Sequence, residues 1–167
     1  MSSKTEGALK HFGIAFILAI IVYACFYSCD AHLRHRKGAW EVAFSSEGGE
    51  PMITIQEPKL GIRNVRVIVV AEKITNATET VIFDVPGRPI PFGRTKFEDL
   101  TYLPGGVVFD LFGHEVQLIP RTLSVNKKEV SWKNDTTIRL LPGEKLPPAP
   151  EKSLRSQSRG PFGRSAE

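Results

Sequence analysis

The sequence predicts an all-β domain, either a small antiparallel sandwich or a barrel-like fold, behind one N-terminal transmembrane α-helix. Two observations predict this arrangement: a charge-free apolar run over residues 12–29, and a series of short segments of alternating polarity from Trp40 onward. In addition, no segment between these short runs has the periodicity of a helix. The folded part of the chain is therefore expected to consist of strands.

The apolar run from Phe12 to Cys29 holds eighteen residues without a charge, a proline or a side-chain amide. An α-helix of this length spans roughly 27 Å, close to the hydrocarbon thickness of a bilayer. The basic residues that flank the run on its two sides are Lys4, Lys10, His11, Arg34, Arg36 and Lys37. This pattern predicts a transmembrane helix over residues 12–29, with a short tail over residues 1–11 and a basic juxtamembrane linker over residues 30–39.

Three other interpretations of the apolar run are open from the sequence. A cleaved signal peptide has a basic start, a shorter apolar core and small residues before the cut, and Val22-Tyr23-Ala24 meets the last condition loosely. In a lipoprotein, Cys25 would accept the lipid. A core helix of a soluble protein would need other helices around it, which the rest of the chain does not predict. Because Cys25 to Cys29 continue the apolar run beyond the cut, we prefer an uncleaved anchor.

The charges around the helix give conflicting signals about its orientation. Two Lys or Arg residues precede the helix and three follow it, which favours a cytoplasmic location for the domain. Only eleven residues precede the helix, however, and such short tails usually stay in the cytosol while the long C-terminal part crosses. We expect a single-pass protein of the cell membrane with an extracytoplasmic C-terminal domain.

The net charge of +4 is concentrated at the two ends of the chain. Residues 1–37 carry five Lys or Arg against two acids, residues 38–145 carry thirteen against fourteen, and residues 146–167 carry four against two. A nucleic-acid-binding domain would place its basic residues on the folded surface, so nucleic acid is not an expected partner. The basic linker instead fits anionic lipid headgroups, and the lipid bilayer is the expected partner.

Residues 40–145 alternate in polarity with period two, as strands with one buried face do. Val107, Phe109 and Leu111 are predicted to face the interior, and Asp110 the solvent. The nine predicted strands contain residues 40–44, 53–55, 65–71, 81–85, 107–111, 116–118, 123–125, 130–132 and 138–140. Clusters of Gly and Pro separate most of these runs, and Gly113 and Asn126 are suited to tight turns that need positive φ.

The end of the chain, residues 146–167, begins with a proline cluster and continues with Ser, Arg and Gly. Leu154 and Phe162 are its large apolar residues after that cluster. Such a composition cannot build a core, so the sequence predicts a disordered tail.

A search for catalytic patterns gives few candidates. His114-Glu115 begins like a zinc-protease motif but lacks the second histidine and lies in a strand pattern. His32 and His35 would share a helix face, but their basic neighbours disfavour a cation. We assign no catalytic, cofactor-binding or metal-binding residue and expect no cofactor. The residues from which an enzyme could still be built are Asp84, Asp99, Asp110, His114, Glu115 and Arg121.

These features predict a binding or assembly module at the membrane surface, whose partner is another membrane or envelope protein. The alternative is a membrane-bound hydrolase that uses acidic residues and His114. Because His114 follows Gly113 in a predicted hairpin turn, its side chain is expected to face solvent and to titrate near the ordinary value of about 6.5. Convergence of the acidic residues and His114 in one hollow would favour the hydrolase.

Overall fold

The computed structural model describes residues 3–75 and 78–147. It contains one long helix, α1 (Ser3–Arg34), and a β-domain of two five-stranded sheets. The predicted class, a β-sandwich behind an apolar helix, is therefore confirmed. Apart from Leu146 and Pro147, the predicted C-terminal tail lies outside the described residues.

The helix α1 extends beyond the predicted segment at both ends. Its part from Lys10 to Arg34, 25 residues whose most apolar 18-residue window has a mean hydropathy of 2.3, is long and apolar enough to cross a bilayer. A signal sequence near an N-terminus has the same properties. Within the described residues, none of the most apolar window is buried, unlike the core helix of a soluble domain.

Within residues 3–75 and 78–147 the domain has ten strands, of which nine were predicted from the alternation of polarity. They are β1 (Trp40–Glu47), β2 (Glu50–Glu57), β3 (Ile62–Val69), β4 (Glu79–Phe83), β5 (Arg94–Asp99), β6 (Gly106–Leu111), β7 (His114–Leu118), β8 (Thr122–Val125), β9 (Lys128–Ser131) and β10 (Thr137–Leu140). Short 3₁₀ turns lie at Pro58–Leu60 and Pro142–Glu144.

The two sheets have simple strand orders. The first is β10–β3–β2–β1–β4 and the second is β5–β6–β7–β8–β9. Of the eight strand pairings in the described parts of the chain, seven are antiparallel and one, β10 with β3, is parallel. The parallel pairing places β3 inside its sheet, and Val67, Ile68 and Val69 are all buried there, as in a strand covered on both faces.

The core lies between the two sheets and is rich in aromatic rings. Phe109 of the second sheet contacts Phe83 and Phe44 of the first sheet edge to face, with ring centroids 5.4 and 6.1 Å apart. Such pairs add to the stabilisation that burial alone provides. Phe109 is fully buried, while Asp110 points outward and pairs with an arginine, so the predicted assignment of the two faces is correct.

The strand register places the connections between strands at two opposite ends of the domain. We call one end the helix-proximal pole; it holds the start of β1 and residues 57–61, 100–105, 119–121 and 132–136. We call the other end the helix-distal pole; it holds residues 47–50, 111–114, 125–128 and 141–147.

Trp40 joins the two sheets at the helix-proximal pole. Its indole Nε1 donates a hydrogen bond to the carbonyl of Gly105 at 3.0 Å, and its ring lies 5.3 Å from that of Trp132. Trp40 is fully buried and Trp132 is half-buried against the core, so both act in packing.

Candidate functional site

A hollow of about 370 Å³ lies at the helix-distal pole, and we call it the distal hollow. Its volume is within the range of small ligand sites, about 300–1,000 Å³. It is formed by β5, β6, β7 and the segment that follows β10. The residues that line it are Arg94, Lys96, Asp110, Gly113, His114, Glu115, Lys145, Leu146 and Pro147.

A two-residue turn between β6 and β7 forms the edge of the distal hollow. Phe112 and Gly113 both have positive φ, at 54° and 87°, which matches the twist of antiparallel strands. The Gly113 N–H donates to Asp110 Oδ1 at 3.0 Å. The Gly113 carbonyl accepts the Leu146 N–H at 2.9 Å, so this turn also holds the C-terminal segment in place.

Ion pairs hold the charged side chains around the hollow. Arg94 Nη2 lies 2.8 Å from Asp110 Oδ2, and Lys96 Nζ lies 2.9 Å from Glu115 Oε2. Lys145 pairs with Glu72 at 2.6 Å. Surface pairs of this kind stabilise a fold by only about 0–1 kcal/mol each. Their main effect is to orient side chains that remain in contact with solvent.

Asp110 is the most enclosed carboxylate of the hollow, with 16% of its side chain exposed. Its partial burial opposes ionisation, but the hydrogen bonds from Arg94 and from the Gly113 N–H outweigh that effect and hold the pKa of Asp110 below its ordinary value. Asp110 is therefore an anion at neutral pH and a poor general acid.

His114 is fully buried, so the prediction of a solvent-facing side chain is wrong. The physical reason is the length of the turn. Two residues, Phe112 and Gly113, separate Leu111 from His114, which makes them direct partners across the strand pair. Partners across an antiparallel pair point to the same face. Since Leu111 faces the core, His114 must face it too.

The hydrogen bonds around His114 fix its tautomer. Asn126 Oδ1 accepts the Glu115 N–H at 3.0 Å, so the Asn126 amide nitrogen is the group 3.1 Å from His114 Nδ1. An amide nitrogen donates, so Nδ1 accepts and the proton resides on Nε2. Nε2 itself is buried and has no hydrogen-bond partner among the residues that the structure describes.

The prediction of an ordinary titration for His114 is also wrong. Burial disfavours the imidazolium and lowers the pKa of His114, and the positive charge of Lys145 lowers it further. The carboxylates of Glu144 and Glu72 oppose this shift without cancelling it. His114 is therefore neutral at physiological pH.

The structure brings together three of the six residues considered for catalysis. Asp110, His114 and Glu115 all line the distal hollow. The others lie elsewhere: Asp84 pairs with Arg88, and Asp99 Oδ1 accepts the Thr101 N–H. Arg121 is exposed in the connection between β7 and β8 at the opposite pole.

Three cations of the hollow were not foreseen from the sequence: Arg94, Lys96 and Lys145. Arg94 and Lys96 both belong to β5, which the sequence did not predict, and the register shift between Thr95 and Phe97 means that no period-two pattern marks them. Lys145 reaches the hollow because its segment is bound to Gly113, a contact for which the sequence contains no pattern.

Within residues 3–75 and 78–147, no group of three or more His, Cys, Asp or Glu side chains is arranged to hold a metal ion. At the end of α1, His35 does not pair with His32, and His35 Nδ1 instead lies 3.0 Å from the Ala31 carbonyl.

Comparison of the chain with protein-family models, with curated proteins and with solved structures finds no match.

Proposed function

We propose that this protein is a single-pass membrane protein whose β-domain uses the distal hollow to bind another membrane or envelope protein, with the domain on the extracytoplasmic side. The observation that carries the proposal is the position of the hollow, which lies at the pole opposite the apolar helix. Five residues, 35–39, connect that helix to the domain.

The distance between the two poles suits contact with a protein rather than with lipid. The strand β1 has eight residues, which span about 25 Å at 3.2–3.4 Å per residue. With α1 in the bilayer and the helix-proximal pole next to it, the distal hollow stands about 25 Å above the headgroups. At that height it faces the folded parts of neighbouring proteins.

The chemistry of the hollow also suits a protein partner. The Arg94 side chain is 74% exposed, although it pairs with Asp110. Its Nε and Nη2 both donate to a single oxygen of Asp110, so the outer edge of the guanidinium faces solvent. Arginine is enriched at protein interfaces because its planar donors bind carboxylates in two places at once. A carboxylate of the partner is the expected contact.

A membrane-bound hydrolase is the second candidate, because Asp110, His114 and Glu115 meet in one hollow. Two observations weigh against it. The His114 imidazole is fully buried and is oriented by an amide rather than by a carboxylate. Asp110 and Glu115 are each already paired with a cation. A general base must come within hydrogen-bond distance of the proton that it abstracts, and the side chain of His114 has no exposed surface in this structure.

Site-specific photo-crosslinking in native membranes tests the binding function. We expect a photoreactive amino acid at Arg94 to give a discrete crosslinked species, and one at the exposed Glu129 of β9 to give none. The charge reversal Arg94→Glu should weaken capture of the same species by about tenfold or more, as losing a charged interface contact of about 1.5 kcal/mol would. Glu129→Lys, the matched control, should leave it unchanged.

Two results would contradict the binding proposal. One is a crosslinking pattern that does not distinguish Arg94 from Glu129, either because Arg94 gives no crosslink or because both positions give the same ones. The other is turnover of p-nitrophenyl esters or phosphates by the purified full-length protein, abolished in His114→Gln, which would favour the hydrolase.

A further inference from the structure

The end of the helix α1 contacts one loop of the domain. The Arg34 carbonyl accepts the Leu103 N–H at 2.7 Å. The Arg34 guanidinium lies over the ring of Tyr102, 5.5 Å from its centroid, and also pairs with Asp30 at 2.7 Å. The loop of residues 100–105 is therefore fixed next to the helix end by a backbone hydrogen bond and a cation–π contact.

The position of Arg34 along the helix sets the depth of this loop. The charge-free run ends at Cys29, and Arg34 follows five residues later, about 7.5 Å farther along the axis. The headgroup layer on each side of a bilayer is about 5–8 Å thick. With the apolar run spanning the hydrocarbon, Arg34 lies in the headgroup layer, and the ring of Tyr102 lies at the same level.

Apolar side chains are exposed beside this loop. Tyr102 is 53% exposed and Phe97 of β5 is 58% exposed. With Val108 and Ile119 they line a shallow hollow of about 310 Å³ at the helix-proximal end of the second sheet. Aromatic side chains are enriched at the level of the headgroups, where one end of the ring is wet and the other is not.

The charge of the helix-proximal pole complements an anionic surface. Its exposed basic residues, including those of the linker, are Arg36, Lys37, Lys59, Arg121 and Lys133. The acids at this pole are fewer: Glu57 is buried, Asp99 and Asp135 are exposed, and the exposed Asp84, which follows the strand partner of Trp40, is paired with Arg88. Each Lys or Arg near an anionic leaflet adds to the attraction between the domain and the membrane surface.

We propose that the helix-proximal pole is itself a membrane-binding surface, with Tyr102 and Phe97 in the headgroup layer and the five basic residues against anionic phosphates. The inference rests on the proposed membrane anchoring of α1 and goes beyond it, because it gives the domain one fixed orientation on the bilayer. The short linker supports this, since five residues reach at most about 18 Å.

Spin labels in the full-length protein, reconstituted into nanodiscs of mixed anionic and neutral phospholipid, test the proposal. Labels are attached through Tyr102→Cys and Phe97→Cys in a background with Cys25→Ser and Cys29→Ser. We expect collision of both labels with a water-soluble nickel chelate to be at least about threefold less frequent than for a label at Leu141→Cys, which is exposed at the helix-distal pole. Neutral nanodiscs should reduce this protection.

A label on the native Cys25, in Cys29→Ser, reports separately on anchoring. If that label is buried in lipid while those at residues 97 and 102 are as accessible as the one at residue 141, the membrane-binding surface is contradicted and the anchor stands. If the Cys25 label is accessible too, the anchoring itself fails. Protection at residues 97 and 102 that persists unchanged in neutral nanodiscs and in detergent would indicate contact with protein and would also overturn the inference. Because the two label sites lie in different elements, misfolding of one variant does not prevent the test.

Discussion

His114 is a neutral imidazole held inside the domain by its strand partner and by one amide. Protonation would place a second hydrogen at Nδ1, against the donating nitrogen of Asn126, and would put a charge in a buried position near Lys145. The folded domain therefore accepts this proton less readily than the unfolded chain does, and the stability of the domain depends on pH.

We expect the free energy of unfolding of the wild type to fall as the pH decreases from about 6.5 to 5. Unfolded His114 has the ordinary pKa of about 6.5 and folded His114 a lower one, so in this range the unfolded state binds the extra proton. The stabilisation is complete above about pH 6.5 and is lost below it, with a slope of at most about 1.4 kcal/mol per pH unit. Denaturant unfolding at several pH values measures this change in the free energy of unfolding.

His114→Gln, which keeps a side-chain acceptor for Asn126, is the matched variant and should lack this slope. The carboxyl groups of Asp84 and Asp110 have lowered pKa values. They therefore change the free energy of unfolding with pH only below about pH 4, outside this range. An equal slope in the two proteins would show that His114 is not the titrating group.

The inward position of His114 could have been derived from the sequence. Once Phe112 and Gly113 are recognised as a two-residue turn, the inward Leu111 fixes the face of the next residue. The sequence does not predict the hydrogen bond between His114 and Asn126 or the nearby charge of Lys145, because these two residues lie in separate turns that only the fold brings together.

At the scale of elements, alternating polarity predicts strands wherever one face is buried. It fails for β5, where Arg94, Lys96 and Glu98 leave no apolar face and Phe97 is exposed. This strand is at the edge of its sheet and has a register shift between Thr95 and Phe97, which interrupts the period of two. Such charged, irregular edges prevent strands of different molecules from pairing. Since β5 also carries Arg94 and Lys96, the missed strand is the reason that the distal hollow could not be predicted.

The turn between β6 and β7 is expected to depend on its glycine. Gly113→Ala should destabilise the domain by about 1–2 kcal/mol, because Gly113 has a φ of 87°, where a side chain is strained. The added Cβ would meet Lys145 only at ordinary contact distance, so the cost comes from the backbone. Urea unfolding of the full-length protein in detergent measures it.

Gly143 is the matched control, because it lies in the neighbouring segment with no atom within 4 Å of an added Cβ and without a positive φ. Gly143→Ala should change the stability by less than about 0.5 kcal/mol. Similar losses at the two positions would show that the turn conformation is not the source of the effect.

At the scale of the whole molecule, the two poles differ in the side chains that they expose. The helix-proximal pole combines exposed aromatic rings with basic residues, while the helix-distal pole pairs each cation of its hollow with an acid. The apolar helix and the sandwich class are predictable from local patterns of the sequence. The two surfaces are not predictable in this way, because each is assembled from segments that are distant in the chain.

The role of α1 as an uncleaved anchor depends on its charge-free length. We expect the wild type to stay in the membrane pellet after carbonate washing, at the full length of 167 residues by mass. The double variant Ile17→Arg, Ile20→Asp should be released into the soluble fraction. Each charge at the middle of a helix costs about 2.5–3.5 kcal/mol on insertion scales, so the pair costs about 5–7 kcal/mol and shifts the insertion equilibrium by more than about a thousandfold.

The control variant Ile17→Leu, Ile20→Leu keeps the apolar surface and should remain in the pellet. Both positions are exposed on the helix, so neither substitution disturbs packing within the protein. Recovery of the intact wild type in the soluble fraction would contradict the anchor. A pelleted chain shortened to begin at Cys25 would indicate a lipoprotein, and a soluble shortened chain a cleaved signal peptide. Either form would lack most of the helix, and the domain would then lose the fixed height above the bilayer on which both proposed surfaces depend.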